Sequence, residues 1–147
     1  MTATAHALTG AAIISRFPNL FGLFLAFLSH FPLDFIPHWD TFTNSRRHSK
    51  TFCFITTAFD VLLGLFLVYH FFSKLVPLPL LFAASFFAQL PDWFAAPYYF
   101  FKINLLPFRF FFFFHRKFHH RLDLPLGLLT QITLIILLFL LLNIIPH

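Results

Sequence analysis

Apolar residues along this chain occur in long stretches that are separated by short polar or proline-containing breaks. Most of these stretches approach the length of about 20 residues with which an α-helix crosses a bilayer. The pattern predicts an all-α fold, a polytopic transmembrane helix bundle formed by residues 1–147 as a single integral membrane domain. The five predicted apolar segments, some of them short or kinked, are Thr2–Ser15, Asn19–Ile36, Thr51–Phe72, Pro77–Phe101 and Pro125–Ile145.

Proline positions indicate where two of these segments depart from a straight helix. Pro18 disfavours a helical conformation at Phe17 and suits the start of a new helix, so we expect residues 2–36 to form a helical hairpin. One long span kinked at Pro18 is the alternative. In the fourth segment, Pro91 predicts a break or kink, because proline cannot donate the hydrogen bond of a helix interior.

Basic residues are concentrated in two segments beside the apolar ones. Thr41–Lys50 holds three of the ten lysines and arginines, and Lys102–Arg121 holds five. The second segment predicts a basic interfacial helix along the lipid headgroups. Because basic loops stay on the cytoplasmic side, we expect both segments inside and the C-terminus outside the inner (plasma) membrane. The net charge of +5 then reflects membrane orientation, and membrane lipid rather than nucleic acid is the expected partner.

The composition agrees with a membrane protein. The chain is 59% hydrophobic and only 10% charged, whereas a soluble domain carries about 25% charged residues to cover its surface. The 27 phenylalanines, among them the run Phe110–Phe114, are interpreted as lipid-facing filler. The chain has no glutamate, five aspartates and nine histidines. Candidate chemistry therefore rests on histidine and aspartate.

Histidine and aspartate recur four residues apart, a spacing that places both side chains on one face of a helix. His30 and Asp34 form one such pair, and His115 and His119 form another. Ionisable residues in membrane segments are costly and usually functional, and imidazole and carboxylate are ligands of zinc, manganese and iron. The sequence predicts a mono- or dinuclear divalent-metal site, with zinc or manganese favoured. The candidate metal ligands are His6, His30, Asp34, Asp92, His115 and His119, and the candidate catalytic carboxylates are Asp60 and Asp123.

Each candidate also has a purely structural interpretation. His30 and Asp34 can form a simple hydrogen-bonded pair at the end of a helix, and Asp60 can pair with an arginine. His38 is expected to lie at the membrane interface or to support a ligand rather than to bind metal itself. Asp40 is expected to build the loop that follows.

Four motifs resemble a family of bacterial polytopic membrane proteins across nearly the whole chain. They are His6-Ala7-Leu8-Thr9-Gly10, the pattern SHxxxDxxPHWD over residues 29–40, Gln89-Leu90-Pro91-Asp92-Trp93, and the pattern HxxxHHRLDLP over residues 115–125. More remotely, the N-terminal histidine with its Thr-Gly and the His/Asp pairs are similar to inner-membrane proteins classed as metal-dependent hydrolases. The resemblance implies a polytopic, metal-binding protein.

Three functions are compatible with these features. The first is a membrane-embedded metal-dependent hydrolase that acts at the cytoplasmic face on a lipid or phosphoester, with a metal-activated water as nucleophile. The alternatives are a non-catalytic structural or assembly protein and a cation or proton transporter. A transporter needs polar residues through the full depth of the bilayer, and the last segment offers few. They are Thr130, Gln131, Thr133 and Asn143.

Overall fold

The computed structural model describes residues 1–43 and 48–141, and within these ranges the chain folds into six α-helices. The helices are α1 (Ala3–Arg16), α2 (Leu20–Phe35), α3 (Lys50–Phe72), α4 (Leu78–Phe101), α5 (Leu106–Phe118) and α6 (Leu126–Leu141). The described ranges contain no β-strand, although one parallel bridge joins His38 to Arg121. The predicted all-α fold is confirmed.

Two of the helices, α3 and α4, are long and apolar enough to cross a membrane, with mean hydropathies of 2.1 and 1.2 over their most apolar windows. Helices α2 and α6 are apolar but shorter. The five predicted apolar segments are thus present as helices, but only two of them have the length of a full span within the described ranges. Arg46 and Arg47 of the predicted basic loop, and the predicted end of the last segment at Ile145, lie outside the described residues.

Helix α1 is the centre of the fold and packs against α2, α3, α4 and α6. Its small side chains let these neighbours approach closely. A Cβ atom at Gly10 would lie 2.6 Å from the carbonyl oxygen of Ala84 on α4, and one at Gly64 of α3 would lie 2.9 Å from the Thr4 Cα. Contacts between small residues are a common means of helix association in lipid. Its composition therefore makes α1 a core element, although it is only 14 residues long.

The hairpin predicted for residues 2–36 is confirmed, and one continuous helix is excluded. Helix α1 ends at Arg16, and α2 begins at Leu20. The side chain of Asn19 accepts a hydrogen bond from the Gly22 N–H at 3.1 Å, which is the role of a favoured N-cap residue. The turn brings the first residues of α1 beside the end of α2.

Helix α4 continues without interruption through Pro91 and Pro97. The chain is therefore not broken at Pro91, where the sequence predicts a break or kink. A proline inside a helix costs about 3 kcal/mol because a hydrogen bond is lost and the ring meets the preceding turn. Packing of α4 against α1, α2, α3 and α5 offsets this cost and holds the segment helical.

The second basic segment forms α5, which is shorter at both ends than the predicted helix over Lys102–Arg121. Helix α4 ends at Phe101. Its C-cap residue Lys102 has a left-handed φ of 59° and cannot be part of a continuing right-handed helix. Helix α5 starts at Leu106, with Pro107 in its first turn. Proline is favoured there because the first N–H groups of a helix have no intrahelical partner.

Aromatic rings dock α5 along α4. The ring of Phe111 stacks on Phe94 with 5.1 Å between centroids, and Phe112 meets Tyr98 at 4.9 Å. The interpretation of Phe110–Phe114 as lipid-facing filler is therefore wrong for these two positions. They fix the helix that supplies His115 and leads directly into His119.

Asp60 of α3 holds the start of α1. Its carboxylate accepts hydrogen bonds from the backbone N–H groups of Ala3 at 2.5 Å and Thr4 at 3.2 Å, and from the Thr4 hydroxyl at 2.7 Å. The first N–H groups of a helix are unpaired and carry partial positive charge, so a carboxylate is favourable there. Asp60 thereby ties the N-terminus of α1 to α3.

We predict that Asp60→Ala lowers the free energy of unfolding by about 1–3 kcal/mol, because part-buried donors lose their acceptor. Denaturation of the detergent-purified protein, followed by circular dichroism, measures the change. Thr56→Ala is the matched control on the same helix, since the Thr56 hydroxyl bonds to carbonyls of its own helix. Asp60→Ala with the stability of the wild type would contradict the capping role.

Candidate metal centre

The carboxylate of Asp34, near the end of α2, is fully buried and is surrounded by histidines. Its Oδ2 atom lies 3.3 Å from His30 Nε2 and 3.2 Å from His119 Nδ1, and it also contacts His115 Nε2. Its Oδ1 atom lies 3.1 Å from His6 Nε2. A buried carboxylate is costly unless it is hydrogen-bonded or paired with positive charge. Asp34 is therefore the structural centre of the site.

His30, Asp34, Asp92 and His115 form the first ligand group, with one ligand atom from each lying within 4.8 Å of the others. The Nε2 atoms of His30 and His115 are 3.1 Å apart, and Asp92 Oδ1 lies 3.9 Å and 3.5 Å from them. Tetrahedral zinc with bonds of about 2.0–2.2 Å holds neighbouring ligand atoms roughly 3.3–3.6 Å apart. The separations among His30, His115 and Asp92 are close to this range, whereas Asp34 and His115 are in direct contact and would have to move apart to hold an ion between them.

Asp34, His38 and His119 form the second ligand group. His119 Nδ1 lies 3.2 Å from Asp34 Oδ2, and His38 Nε2 lies 3.8 Å from Asp34 Oδ1. Asp34 thus belongs to both groups. Its Oδ2 atom lies near His30, His115 and His119, and its Oδ1 atom lies near His6, His38 and the Met1 amine. If both groups held an ion, Asp34 would be the residue that they share.

Backbone carbonyls set the orientation of two of the histidine rings. His30 Nδ1 donates to the Ala88 carbonyl at 2.9 Å, and His38 Nδ1 donates to the Ile36 carbonyl at 2.7 Å. Because a carbonyl can only accept, Nδ1 carries the proton in both rings, and in the neutral ring Nε2 keeps a lone pair facing the cluster. Hydrogen bonds of this kind commonly orient metal-binding imidazoles. Burial lowers the pKa of His38 to about 4, so this ring is neutral at pH 7.

The carboxylate of Asp40 orients the ring of His119. Its Oδ2 atom lies 2.7 Å from His119 Nε2 and accepts from Arg121 Nε at 3.3 Å, while Oδ1 accepts from the Thr43 hydroxyl at 2.8 Å. Burial alone raises the pKa of this carboxyl, but the His119 hydrogen bond and the Arg121 charge hold the pKa below its usual range. With Nε2 donating to the ionised Asp40, His119 turns Nδ1 toward Asp34.

Backbone pairing between two loops places the second ligand group. The His38 N–H donates to the His120 carbonyl at 3.1 Å, and the Leu122 N–H donates to the His38 carbonyl at 2.7 Å. The His120 N–H also donates to the Asp34 carbonyl at 3.2 Å. The segment after α2 and the segment after α5 are thereby aligned in parallel, so the His-Trp-Asp and His-His-Arg-Leu-Asp motifs meet.

Five of the predicted ligands lie in the two groups, namely His30, Asp34, Asp92, His115 and His119. His6 belongs to neither group. Its ring stacks on His30 with 4.2 Å between centroids, its Nε2 contacts Asp34, and its buried Nδ1 has no hydrogen-bond partner. The amine of Met1 also contacts Asp34. His6 therefore supports the centre by holding Asp34 and packing against His30.

The two predicted catalytic carboxylates lie outside both groups. Asp60 is engaged at the start of α1. Asp123 lies in the segment before α6, where its backbone carbonyl accepts from the Gly127 N–H at 2.9 Å. The structure instead places two residues that the sequence reasoning did not select, His38 and Asp40, at the second group. Both residues belong to the same motif, residues 29–40, as His30 and Asp34, and this was the available signal. They lie outside helices, however, and there a spacing of four residues does not place two side chains on one face.

The centre is open on one side. The Asp92 side chain is 40% exposed, whereas those of Asp34 and His30 have no exposure. His115 and His119 are nearly buried. Asp92 is therefore the member of the first group through which a ligand could approach.

Comparison of the chain with protein-family models, curated proteins and solved structures finds no match. The function of the site is therefore inferred from its geometry.

We predict that the purified protein binds about two zinc ions per chain, because the shared carboxylate completes two ligand groups. His30→Ala should leave about one ion, and Asp34→Ala should lose both. Metal analysis after removal of free ions measures the stoichiometry. His70→Ala is the control, since His70 stacks on Phe66 away from the groups. Equal metal content in all three variants would rule out this site.

Proposed function

We propose that the protein is a membrane-embedded metal-dependent hydrolase that acts on a lipid or phosphoester at a dinuclear His/Asp centre. The observation that carries the proposal is the position of Asp34, which belongs to two ligand groups at once. Hydrogen bonds from His30 and His38 to carbonyls direct ligand atoms inward, so the donors are preorganised. A cluster that only held helices together would not need these two rings to be oriented in this way.

The chemistry supplied by bound divalent ions is activation of water and polarisation of the scissile ester. In the net reaction, water gives its hydroxyl to phosphorus or to the acyl carbon, and its proton goes to the leaving oxygen. Asp92 is the accessible carboxylate of the centre, and it faces the side from which substrate enters. His119, hydrogen-bonded to Asp40, holds the second group in place during this exchange.

The proposal places this centre in the inner membrane as part of a multi-pass protein. Helices α3 and α4 have the length and hydropathy of spans, and α3 exposes Phe59, Leu62 and Phe66. Such a large exposed apolar face needs a covering, and lipid provides it. The basic segments Thr41–Lys50 and Lys102–Arg121 then lie on the cytoplasmic side according to the positive-inside rule.

The second candidate is a non-catalytic protein in which the polar cluster joins helices. Direct contacts from Asp34 to His6 of α1 and His115 of α5 favour it, because such contacts connect helices without an ion. Metal content and hydrolysis separate the two candidates. A structural cluster would keep the protein folded after chelation and would show no activity in any metal form.

We predict that the zinc- or manganese-loaded protein hydrolyses p-nitrophenyl phosphate or bis(p-nitrophenyl) phosphate, and that a chelator abolishes the activity reversibly. Asp92→Asn should lower kcat by about 100-fold or more, because it weakens ion binding and removes the accessible carboxylate. Release of p-nitrophenol measures the rate, with His70→Ala as the variant of unchanged activity. Hydrolysis that persists in Asp92→Asn and Asp34→Ala would show that it comes from a contaminant.

The membrane orientation generates a separate prediction. An alkaline phosphatase fused after His147 should be active in cells, because that enzyme folds on the outer side of the inner membrane and the proposed topology places the C-terminus there. A green fluorescent protein at the same position is the complementary reporter. A fluorescent, phosphatase-inactive C-terminus would reverse the orientation.

A further inference from the structure

Helix α6, over its described length, contributes no residue to either ligand group, but it holds the loop that carries part of the second one. The Trp39 N–H donates to the Gly127 carbonyl at 3.1 Å, and the Trp39 carbonyl accepts from Gln131 Nε2 at 2.7 Å. Trp39 stands between His38, a member of the second group, and Asp40, whose carboxylate orients another ligand of that group. The contact with α6 therefore bears directly on the second group.

The side chain of Gln131 is almost fully buried and uses all of its hydrogen-bonding capacity. Its Nε2 donates to the carbonyls of Trp39 at 2.7 Å and Gly127 at 3.1 Å, and its Oε1 accepts from the N–H and the hydroxyl of Thr2, both at 3.0 Å. An amide side chain offers two donors and two acceptor lone pairs, so all four are taken. The amide has one orientation here, because a carbonyl can only accept and an N–H can only donate.

Through Thr2, Gln131 connects the loop to the start of α1. Thr2 is the N-cap residue of α1, and one turn later the same helix brings His6 Nε2 to 3.1 Å from Asp34 Oδ1. His38 Nε2, from the loop, lies 3.8 Å from the same oxygen. One amide thus joins two elements that face the same oxygen atom of the central carboxylate.

The loop is held from two sides. On one side, the segment after α5 pairs with both the N–H and the carbonyl of His38. On the other side, α6 pairs with both backbone groups of Trp39, and the Thr130 hydroxyl donates to the Pro37 carbonyl at 2.7 Å. Removal of Gln131 would leave the Trp39 carbonyl without this donor. The side of the loop that faces α6 therefore depends on Gln131.

We propose that Gln131 is a positioning residue of the metal centre: it fixes the loop of His38 and Asp40 so that the second ligand group binds its ion. The inference rests on the proposed function, and it assigns the affinity of one of the two groups to a residue that touches no ion. A general role in helix packing would affect both groups, whereas the hydrogen bonds of Gln131 predict an effect on the second group alone.

Zinc titration of the full-length protein against a competing chelator, in two single-site backgrounds, tests the proposal. His30→Ala leaves the second group intact, and His38→Ala leaves the first group intact. Gln131→Met keeps a similar length of side chain but removes the amide donor and the oxygen acceptor. It should weaken zinc binding about tenfold or more in His30→Ala, since residues that orient metal ligands commonly contribute 10–100-fold to affinity. In His38→Ala the affinity should change by less than about twofold.

Two controls separate positioning from general stability. Thr133→Val changes an exposed residue of the same helix and should leave both affinities unchanged. Val68→Ala opens a cavity in the apolar core, which destabilises the fold away from the loop, and it should act equally in both backgrounds. Equal weakening by Gln131→Met in both backgrounds would reduce Gln131 to a packing role and overturn the proposal. An unchanged affinity in His30→Ala would also overturn it.

Fluorescence of Trp39 reports on the loop without any metal. The chain has two tryptophans, so Trp93→Phe leaves Trp39 as the only one. In this background Gln131→Met should raise the acrylamide quenching constant about twofold, because the half-buried indole becomes more accessible when the loop opens locally. Thr133→Val should not change the constant. Unchanged quenching in Gln131→Met would show that the loop keeps its place without Gln131 and would overturn the proposal.

The same measurements distinguish this inference from the proposed function. A wild-type protein that takes up no zinc would overturn the hydrolase, and the quenching of Trp39 would then decide alone whether Gln131 holds the loop. Two bound ions with the same affinities in the wild type and in Gln131→Met would retain the metal centre of the hydrolase and overturn the positioning role.

Discussion

The carboxylate of Asp34 sets the constraint on which the site depends. A carboxylate removed from water must be matched by donors or by positive charge, and Asp34 is fully buried in an otherwise apolar bundle. Its partners come from three helices: His6 from α1, His30 from α2 and His115 from α5. These helices cannot separate without leaving the charge uncompensated. The requirement for compensation explains why so many imidazoles converge on one point in a chain of this composition.

The helical part of the site follows from the sequence. Positions four apart lie on one helix face, so the spacing of His30 with Asp34 and of His115 with His119 predicts that each pair lies together. His30, Asp34 and His115 share the first ligand group, and His119 belongs to the second, which also contains Asp34. His38 and Asp40 could not be found this way. They lie in a loop whose position is set by backbone hydrogen bonds to a distant segment, and no local periodicity encodes that pairing.

The fold shows the same division between local and tertiary information. Pro18 and Asn19 determine the hairpin turn locally, so the sequence predicts it. The continuity of α4 through Pro91 and the docking of Phe111 on Phe94 depend on neighbours from other parts of the chain. The role of Asp60 is also tertiary, because the helix start that it caps belongs to α1 rather than to its own helix.

Helix α5 supplies His115, and the residue directly after it supplies the His119 ligand atom, so both ligand groups gain a member from one short element. This element is joined to α4 by aromatic contacts such as Tyr98 with Phe112. The two groups are therefore completed or lost in one step rather than ligand by ligand. In thermodynamic terms, an ion that bound only the form with α5 docked would stabilise that form by mass action.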